Sequence, residues 1–225
     1  MKKYRVLIII VLILALAACN SISGIADLAG SPTASSSETQ GVIVEGVPNL
    51  TVNHFAGKIN VREGDPGRIS ADLTKMSRLR DQDQAQAQLN EINMTITQRG
   101  TDVVLTVEGP QATLDMIASP TADLELTVPP GSMLNLNLGA GDISIDEPDG
   151  DVVVNGGAGN ITVTLPPGTS FNLQVAGGVT RVNSDFPGVP GGGVAANVET
   201  TVGDNPTQSL SFNLGAGEVN INQSR

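Results

Sequence analysis

The most informative stretch of this chain reads, from Leu134 to Ile145, Leu-Asn-Leu-Asn-Leu-Gly-Ala-Gly-Asp-Ile-Ser-Ile. Apolar and polar residues alternate on both sides of a Gly-Ala-Gly centre. Its second half, Ala-Gly, one spacer and an alternating strand, recurs along the chain. Clear copies occupy residues 56–61, 140–145, 158–163 and 216–221. A degraded copy begins at Ala176 and has Arg181 where we expect an apolar residue, so the three central copies start 18 residues apart.

This repeat predicts an all-β fold. Period-two alternation puts Leu, Ile and Val on one face of each strand and polar residues on the other. Glycine permits the sharp corner between two strands, and the Pro-Pro-Gly runs that end at Gly131 and Gly168 make further corners. We therefore expect a single-stack β-solenoid (β-helix-like) with short coils of about 18 residues. An antiparallel β-sandwich is the alternative, because both kinds of corner can also join hairpins.

Three stretches depart from the repeat. Residues 77–91 are rich in helix-forming residues and predict a helical or irregular excursion. Residues 92–96 and 103–107 alternate around Gly100, which predicts two strands joined by a tight turn. Residues 186–194 contain two prolines and three consecutive glycines, and we expect a projecting loop there.

The N-terminus predicts export and attachment to a membrane. Lys2, Lys3 and Arg5 precede a thirteen-residue apolar run that ends at Ala18, and the sole cysteine, Cys19, follows directly. This run is shorter than the roughly 20 residues that a spanning helix needs. Leu-Ala-Ala-Cys, ending at Cys19, resembles the lipobox of bacterial lipoproteins, in which the peptidase cuts before the cysteine and the thiol carries a diacylglyceryl group.

This resemblance, the composition after Cys19 and the repeat together predict a domain organisation and a cellular location. We expect a lipoprotein signal peptide at residues 1–18, the lipidated Cys19 and a Ser/Thr/Ala-rich flexible tether at residues 19–41, and the β-solenoid domain at residues 42–225. We expect the protein in the cell envelope, with its lipid in the outer face of the cytoplasmic membrane or in the outer membrane. The residue after the cysteine, Asn20, is not the aspartate linked with inner-membrane retention, so the sequence does not select between the two membranes.

Composition restricts the function. Without residues 1–18 the chain has nine basic and 23 acidic residues, a net charge of −14, which disfavours nucleic acid and anionic lipid headgroups as partners. Trp is absent from the chain and its one Tyr lies in the signal peptide, so a conventional sugar groove with Trp or Tyr stacking is not expected. The single histidine, His54, lies in a strand beside Phe55 and is interpreted as structural.

The candidate sites are few. An acidic stretch comprises Asp142, Asp146, Glu147, Asp149 and Asp151. It suits calcium binding or paired-carboxylate catalysis, but outward acids and Asp-Gly turns are also what a solvated coil requires. We therefore assign no catalytic, cofactor or metal site, and name Cys19 lipidation as the one modification site. The outward asparagines could present amides to a glycan or a protein; they are Asn135, Asn137, Asn172, Asn213 and Asn220.

A family resemblance joins these observations. The N-terminal signal, the helical excursion followed by Ile92-Asn-Met94-Thr-Ile96, and the repeated Gly-Ala-Gly with Leu-Asn strands resemble bacterial adhesin-like, or toast-rack, domains. The resemblance covers about residues 45–222. It implies a β-solenoid-like domain of the cell envelope and supplies no catalytic residues.

The resulting functional expectation is a non-catalytic, membrane-anchored binding module, adhesin-like or an envelope scaffold. A regulatory component of an envelope-stress response is the alternative, and an enzyme acting on envelope polysaccharide is the third candidate. The last repeat ends at Ile221, four residues before the C-terminus. We expect its uncapped edge to support weak self-association.

Overall fold

The computed structural model describes residues 32–110, 119–190 and 197–225. Within these ranges the chain has eleven strands and one helix. In chain order they are β1 (Ala34–Ile43), β2 (Asn49–Glu63), β3 (Arg68–Ser77), α1 (Gln82–Asn90), β4 (Asn93–Arg99), β5 (Asp102–Glu108), β6 (Thr121–Val128), β7 (Met133–Asp146), β8 (Val152–Leu165), β9 (Phe171–Ser184), β10 (Asn197–Val202) and β11 (Gln208–Gln223). The all-β prediction is confirmed: 67% of the described residues lie in strands and 5% in the helix.

The strands form one open sheet in the order β1-β3-β6-β2-β7-β8-β11-β9-β10. β5 pairs with the first half of β2, and β4 pairs with β5. The repeat strands β2, β7, β8, β11 and β9 are joined side by side by parallel ladders. The sheet is antiparallel at its ends, in the pairs β1–β3, β3–β6, β4–β5 and β9–β10.

Each repeat strand has a first arm before its corner and a second arm after it, and the corner reads Gly-Ala-Gly in β7, β8 and β11. The corner glycines lie over one another in register: Gly57 beside Gly141, Gly141 beside Gly159, and Gly159 beside Gly217. Their φ angles are 128°, 136°, 144° and 140°, values that disfavour any other residue. A Cβ at Gly141 would lie 1.8 Å from the carbonyl oxygen of Gly57. The column therefore requires glycine for its close backbone stacking as well as for its conformation.

The core lies on the inner side of the two arms. In β7, for example, Leu134, Leu136 and Leu138 of the first arm are buried, as are Ile143 and Ile145 of the second. Other repeat strands repeat this burial pattern in register, so like residues stack on like along the sheet. The period-two alternation in the sequence is the direct cause.

The structure corrects the predicted order of the repeats. The 18-residue spacing does align β7 with β8, where Asp142 pairs with Asn160. However, β11 inserts between β8 and β9, so successive repeats do not simply stack on one another. Both edges of β11 carry parallel ladders. The predicted uncapped C-terminal edge is therefore wrong, because the last repeat lies inside the sheet.

The register of β9 corrects the reading of the degraded copy. Ala216 lies beside Val179, and Glu218 lies beside Arg181. Arg181 thus occupies the outward spacer position, and Val182 is the buried residue that follows. The predicted mismatch at Arg181 is wrong because β9 turns its corner three residues later than the Ala-Gly pattern indicated. Thr180 is fully buried beside Gly217, and its hydroxyl donates to the Leu214 carbonyl at 2.9 Å.

The N-terminal boundary also changes. β1 begins at Ala34 and pairs with β3 over ten residues, so residues 34–41 are a strand of the sheet and the predicted tether ends too late. The sequence pattern did not indicate this strand because its inner face is partly polar. Glu38 contacts Lys75 at 3.3 Å, and the Gln40 amide donates to the Met94 carbonyl at 2.9 Å. The predicted signal peptide, Cys19 and residues 20–31 of the predicted tether lie outside the described residues.

The departures from the repeat are largely as expected. α1 lies within the predicted excursion, begins after Asp81, whose carboxylate accepts from the Gln84 N–H at 2.9 Å, and buries Ala85 and Leu89. β4 and β5 form the predicted pair around Gly100, whose φ is 65°. Residues 186–190 are irregular, and the rest of the predicted loop lies outside the described residues. In the described part of the chain, no helix is long and apolar enough to span a membrane.

Candidate binding surface

The outer face of the first arms carries a row of amides. Asn53, Asn137, Asn155 and Asn213 lie side by side on β2, β7, β8 and β11, and Thr106 of β5 extends the row. Each asparagine stands four residues before its corner glycine. Adjacent strands lie about 4.8 Å apart, so the five side chains span roughly 19 Å. We call this set the amide row.

Hydrogen bonds fix part of the amide row. The Asn155 Nδ2 donates to the Asn137 Oδ1 at 2.9 Å, and the Asn137 Nδ2 donates to the Asn53 Oδ1 at 3.0 Å. Each donating amide uses one of its two N–H hydrogens in this series of hydrogen bonds. The row therefore keeps donors and acceptors facing outward, and their orientation is set by the neighbouring strand.

The second outward row of the first arms is also uncharged. It contains Val104, Thr51, Asn135, Val153 and Ser211, in register on the same five strands. Val104 and Val153 are 36% and 39% exposed, and Met133 near the start of β7 is 44% exposed. The two rows together form the amide face: ten residues, none of them charged, in a chain whose net charge is −11.

The outer face of the second arms has a different character. Its corresponding ten residues include five charged ones, Asp123, Lys58, Asp142, Glu218 and Glu125. Two contacts along the sheet involve them: the backbone N–H of Lys58 donates to the Asp123 carboxylate at 3.1 Å, and the Arg181 guanidinium of β9 lies 3.3 Å from the Glu218 carboxylate. We call this the charged face. The same repeat thus presents two different surfaces.

An open groove of about 670 Å³ lies where the amide row meets the corner. Its lining residues include Asn53, Asn137, Asn155 and Thr106 of the amide row, together with Phe55 and Glu108. The Phe55 ring is half-buried and covers Gly109, where a Cβ would lie 2.6 Å from three ring carbons. Phe171, Phe186 and Phe212, in contrast, are buried. Phe55 is therefore the one phenylalanine of the described residues that reaches the surface.

His54 is a packed structural residue, as predicted. It is 4% exposed, its ring contacts Phe55 edge-on with centroids 5.5 Å apart, and its Nε2 lies 2.7 Å from the Ala122 carbonyl oxygen. A carbonyl oxygen only accepts, so Nε2 carries the proton. Burial lowers the pKa of His54 below its ordinary value of 6.5, against smaller opposing effects of the Ala122 carbonyl and Asp123.

Two residues of the acidic stretch, Asp142 and Asp151, accept hydrogen bonds from neighbouring strands of the sheet. The Asp142 carboxylate accepts from the backbone and side-chain N–H groups of Asn160, at 3.2 and 2.9 Å. The Asp151 carboxylate accepts from the Ser209 N–H at 2.8 Å. Over residues 32–110, 119–190 and 197–225, no three His, Cys, Asp or Glu side chains come together as a metal site would require. We therefore propose no calcium site for Asp142, Asp146, Glu147, Asp149 and Asp151.

The structure separates the five asparagines predicted to share one surface. Asn135, Asn137, Asn172 and Asn213 lie on first arms, and Asn220 lies on the charged face, where it accepts from Asn183 at 2.8 Å. Asn172 accepts from the Thr201 hydroxyl at 2.9 Å, toward the far edge of the sheet. Asn53, Asn155 and Phe55 were missed. Aligning the copies on their corner glycines would have found both asparagines.

Comparison with known proteins matches about two thirds of the chain to one family model. The family described as the N-terminal domain of toast_rack, DUF2154, matches residues 34–184. A solved structure of a presumed cell adhesion protein from Clostridium sporogenes aligns at 19% identity with a TM-score of 0.49, covering 84% of this chain and 100% of the other. A presumed adhesin from Parabacteroides distasonis aligns at 12% identity and a TM-score of 0.29, covering 84% and 70%. No curated protein matches the chain.

Proposed function

Because the chain belongs to the toast_rack N-terminal domain family, we propose that it is a non-catalytic envelope protein that binds partners through its amide face. The observation that carries this proposal is the charge contrast between the two outer faces. Five of ten residues are charged on one face and none on the other. Charges keep a surface hydrated, and the interiors of interfaces are depleted in them. The amide face is thus the surface suited to contact.

The proposal includes a single-stack β-solenoid architecture. In-register parallel ladders between β2, β7, β8 and β11 and the stacked corner glycines support it. Each ladder continues through the corner, as expected of coils that share an axis. The insertion of β11 makes the solenoid non-sequential at its C-terminal end.

Attachment to the membrane through lipid on Cys19 is the second part of the proposal. The lipobox at Leu16-Ala17-Ala18-Cys19 supports it. The sheet begins at Ala34, so fourteen residues separate Cys19 from β1. At full extension they reach at most about 50 Å. The lipid would therefore hold the domain close to the membrane, with the Ala34 end of β1 nearest the anchor.

Fatty-acid labelling in cells tests the attachment. We expect a metabolic fatty-acid probe to label the wild-type chain and not the Cys19→Ser variant. Labelling of Cys19→Ser, or no labelling of the wild type, would contradict the anchoring proposal. Asp123→Asn is the matched control: it replaces one residue within the sheet domain, far along the chain from Cys19, and should label as the wild type does.

Retention on isolated envelope fractions tests the binding face. The domain from residue 20 onward, the Val153→Asp variant on the amide face and the Ser144→Asp variant on the charged face are compared. Ser144 and Val153 both lie outward on repeat strands, and each variant adds one negative charge. We expect Val153→Asp alone to lose retention. Equal retention of all three would rule out the amide face as the binding surface.

A further inference from the structure

We infer that the ligand of the amide face is an uncharged carbohydrate that lies along the amide row with one sugar ring over Phe55. This inference rests on the proposed function and names its ligand class. It starts from the charge of the surface. The ten residues of the amide face include no charged side chain, and the one charged residue that the groove adds is the acid Glu108. An anionic ligand would lose its hydration there without gaining an ion pair, and a cationic one would find a single carboxylate beside the row.

The hydrogen-bonding groups point to hydroxyls and acetamides. Each amide carries both donor hydrogens and an acceptor oxygen, and the chain from Asn155 through Asn137 to Asn53 holds them in one orientation. Each side chain of the amide row can both donate and accept hydrogen bonds, and it therefore complements a polymer whose every monomer can do the same. Sugar rings fulfil this condition, whereas phosphates and carboxylates only accept.

Phe55 supplies the apolar contact that a sugar ring also requires. Its ring is held in place by the edge contact with His54 and by close packing on Gly109. Phe55 lies two residues after Asn53 on β2 and lines the same groove of about 670 Å³. The apolar face of a pyranose can lie on such a ring while its hydroxyls reach Asn53 or the Glu108 carboxylate.

A protein partner fits this surface less well. Protein interfaces concentrate their energy in aromatic or Arg side chains that enter pockets. The exposed apolar side chains of the amide face are only Val104 and Val153 among its ten residues. The backbone groups of these strands are already used in ladders on both sides of β2, β7 and β8. An added strand therefore finds no free edge within the face.

The test uses the chain from residue 20 onward and defined probes. They are chitooligosaccharides and dextran as neutral saccharides, and heparin as an anionic control. Binding is followed by isothermal titration and by the side-chain amide resonances of the asparagines. We expect at least one neutral saccharide to bind and to shift the resonances of Asn53, Asn137 and Asn155. Heparin should not bind.

Variants locate the site. Asn137→Asp interrupts the donor chain, and Phe55→Leu removes the ring but keeps an apolar side chain. Each should weaken saccharide binding at least tenfold. Asn220→Asp is the matched control, because Asn220 accepts from Asn183 in a comparable pair on the charged face. It should bind as the wild type does. Thermal unfolding of each variant checks that it folds, and Val153→Asp replaces Asn137→Asp if that variant does not.

The outcomes separate this inference from the proposed function. Absence of binding by both neutral saccharides, or undiminished binding by Asn137→Asp and Phe55→Leu, overturns the carbohydrate inference. If envelope retention is still lost in Val153→Asp, the amide face binds another class of ligand and the proposed function stands. Concentration-dependent sedimentation that Val153→Asp abolishes would identify a second copy of the chain as the occupant and would overturn the carbohydrate inference.

Discussion

Replacing Gly141 with alanine should destabilise the protein far more than its size change suggests. Gly141 has a φ of 136°, where a residue with a Cβ is strained by about 1–3 kcal/mol. The new Cβ would also lie 1.8 Å from the Gly57 carbonyl oxygen, a backbone atom that cannot move alone. β7 must then separate locally from β2. Two or three ladder hydrogen bonds, worth about 0.5–1.5 kcal/mol each, would weaken with it.

These contributions together predict a loss of about 3–5 kcal/mol in the free energy of unfolding. A domain of this size then melts roughly 6–20 °C lower. Gly168→Ala is the matched control: its φ of 83° is also strained, but no heavy atom lies within 4 Å of the new Cβ. It should cost only about 1–2 kcal/mol.

Thermal and urea unfolding, followed by circular dichroism on the chain from residue 20, measure both variants. If Gly141→Ala melts within about 2 °C of Gly168→Ala, the backbone contact in the glycine column contributes little, and the argument for close stacking is wrong. If both variants retain the wild-type melting temperature, the positive φ values themselves are also refuted.

Two further predictions concern the buried histidine and the first strand. Burial lowers the pKa of His54, so the unfolded chain takes up a proton near pH 6.5 that the folded chain does not. Acidification toward about pH 5 should therefore reduce the free energy of unfolding, by at most about 1.4 kcal/mol per pH unit. Urea unfolding at several pH values should show this slope in the wild type and a smaller one in His54→Gln; equal slopes would contradict the assignment. A chain that begins at residue 42 lacks most of β1 and exposes the edge of β3, so it should be at least about 2 kcal/mol less stable than one that begins at residue 32. Equal urea midpoints for the two chains would show that residues 34–41 behave as tether.

The candidate surface was partly visible in the sequence. The outward asparagines follow from period-two alternation, and two of the five named from the sequence, Asn137 and Asn213, stand four residues before a corner glycine. The sequence also placed Asn220 among them, although it follows its corner and lies on the charged face. Alternation gives the side of the sheet but does not distinguish the two arms once the chain has turned. Phe55 was read as a neighbour of His54, because its contact with Gly109 joins residues far apart in the chain.

The sequence by itself determined the local architecture: the alternating strands, the glycine corners, the position of α1 and the β4–β5 pair. Short-range periodicity and backbone preference specify these features without distant contacts. Only the tertiary structure decided which strands lie side by side in the sheet. β11 and β7 carry nearly the same pattern, Leu-x-Phe/Leu-x-Leu-Gly-Ala-Gly, so pattern alone allows either to pair with β8, and both do. The cost of closing a loop rises slowly with its length, so chain order does not force sheet order. The insertion of β11, the shifted corner of β9 and the inclusion of β1 therefore depend on how the whole sheet buries its inner face.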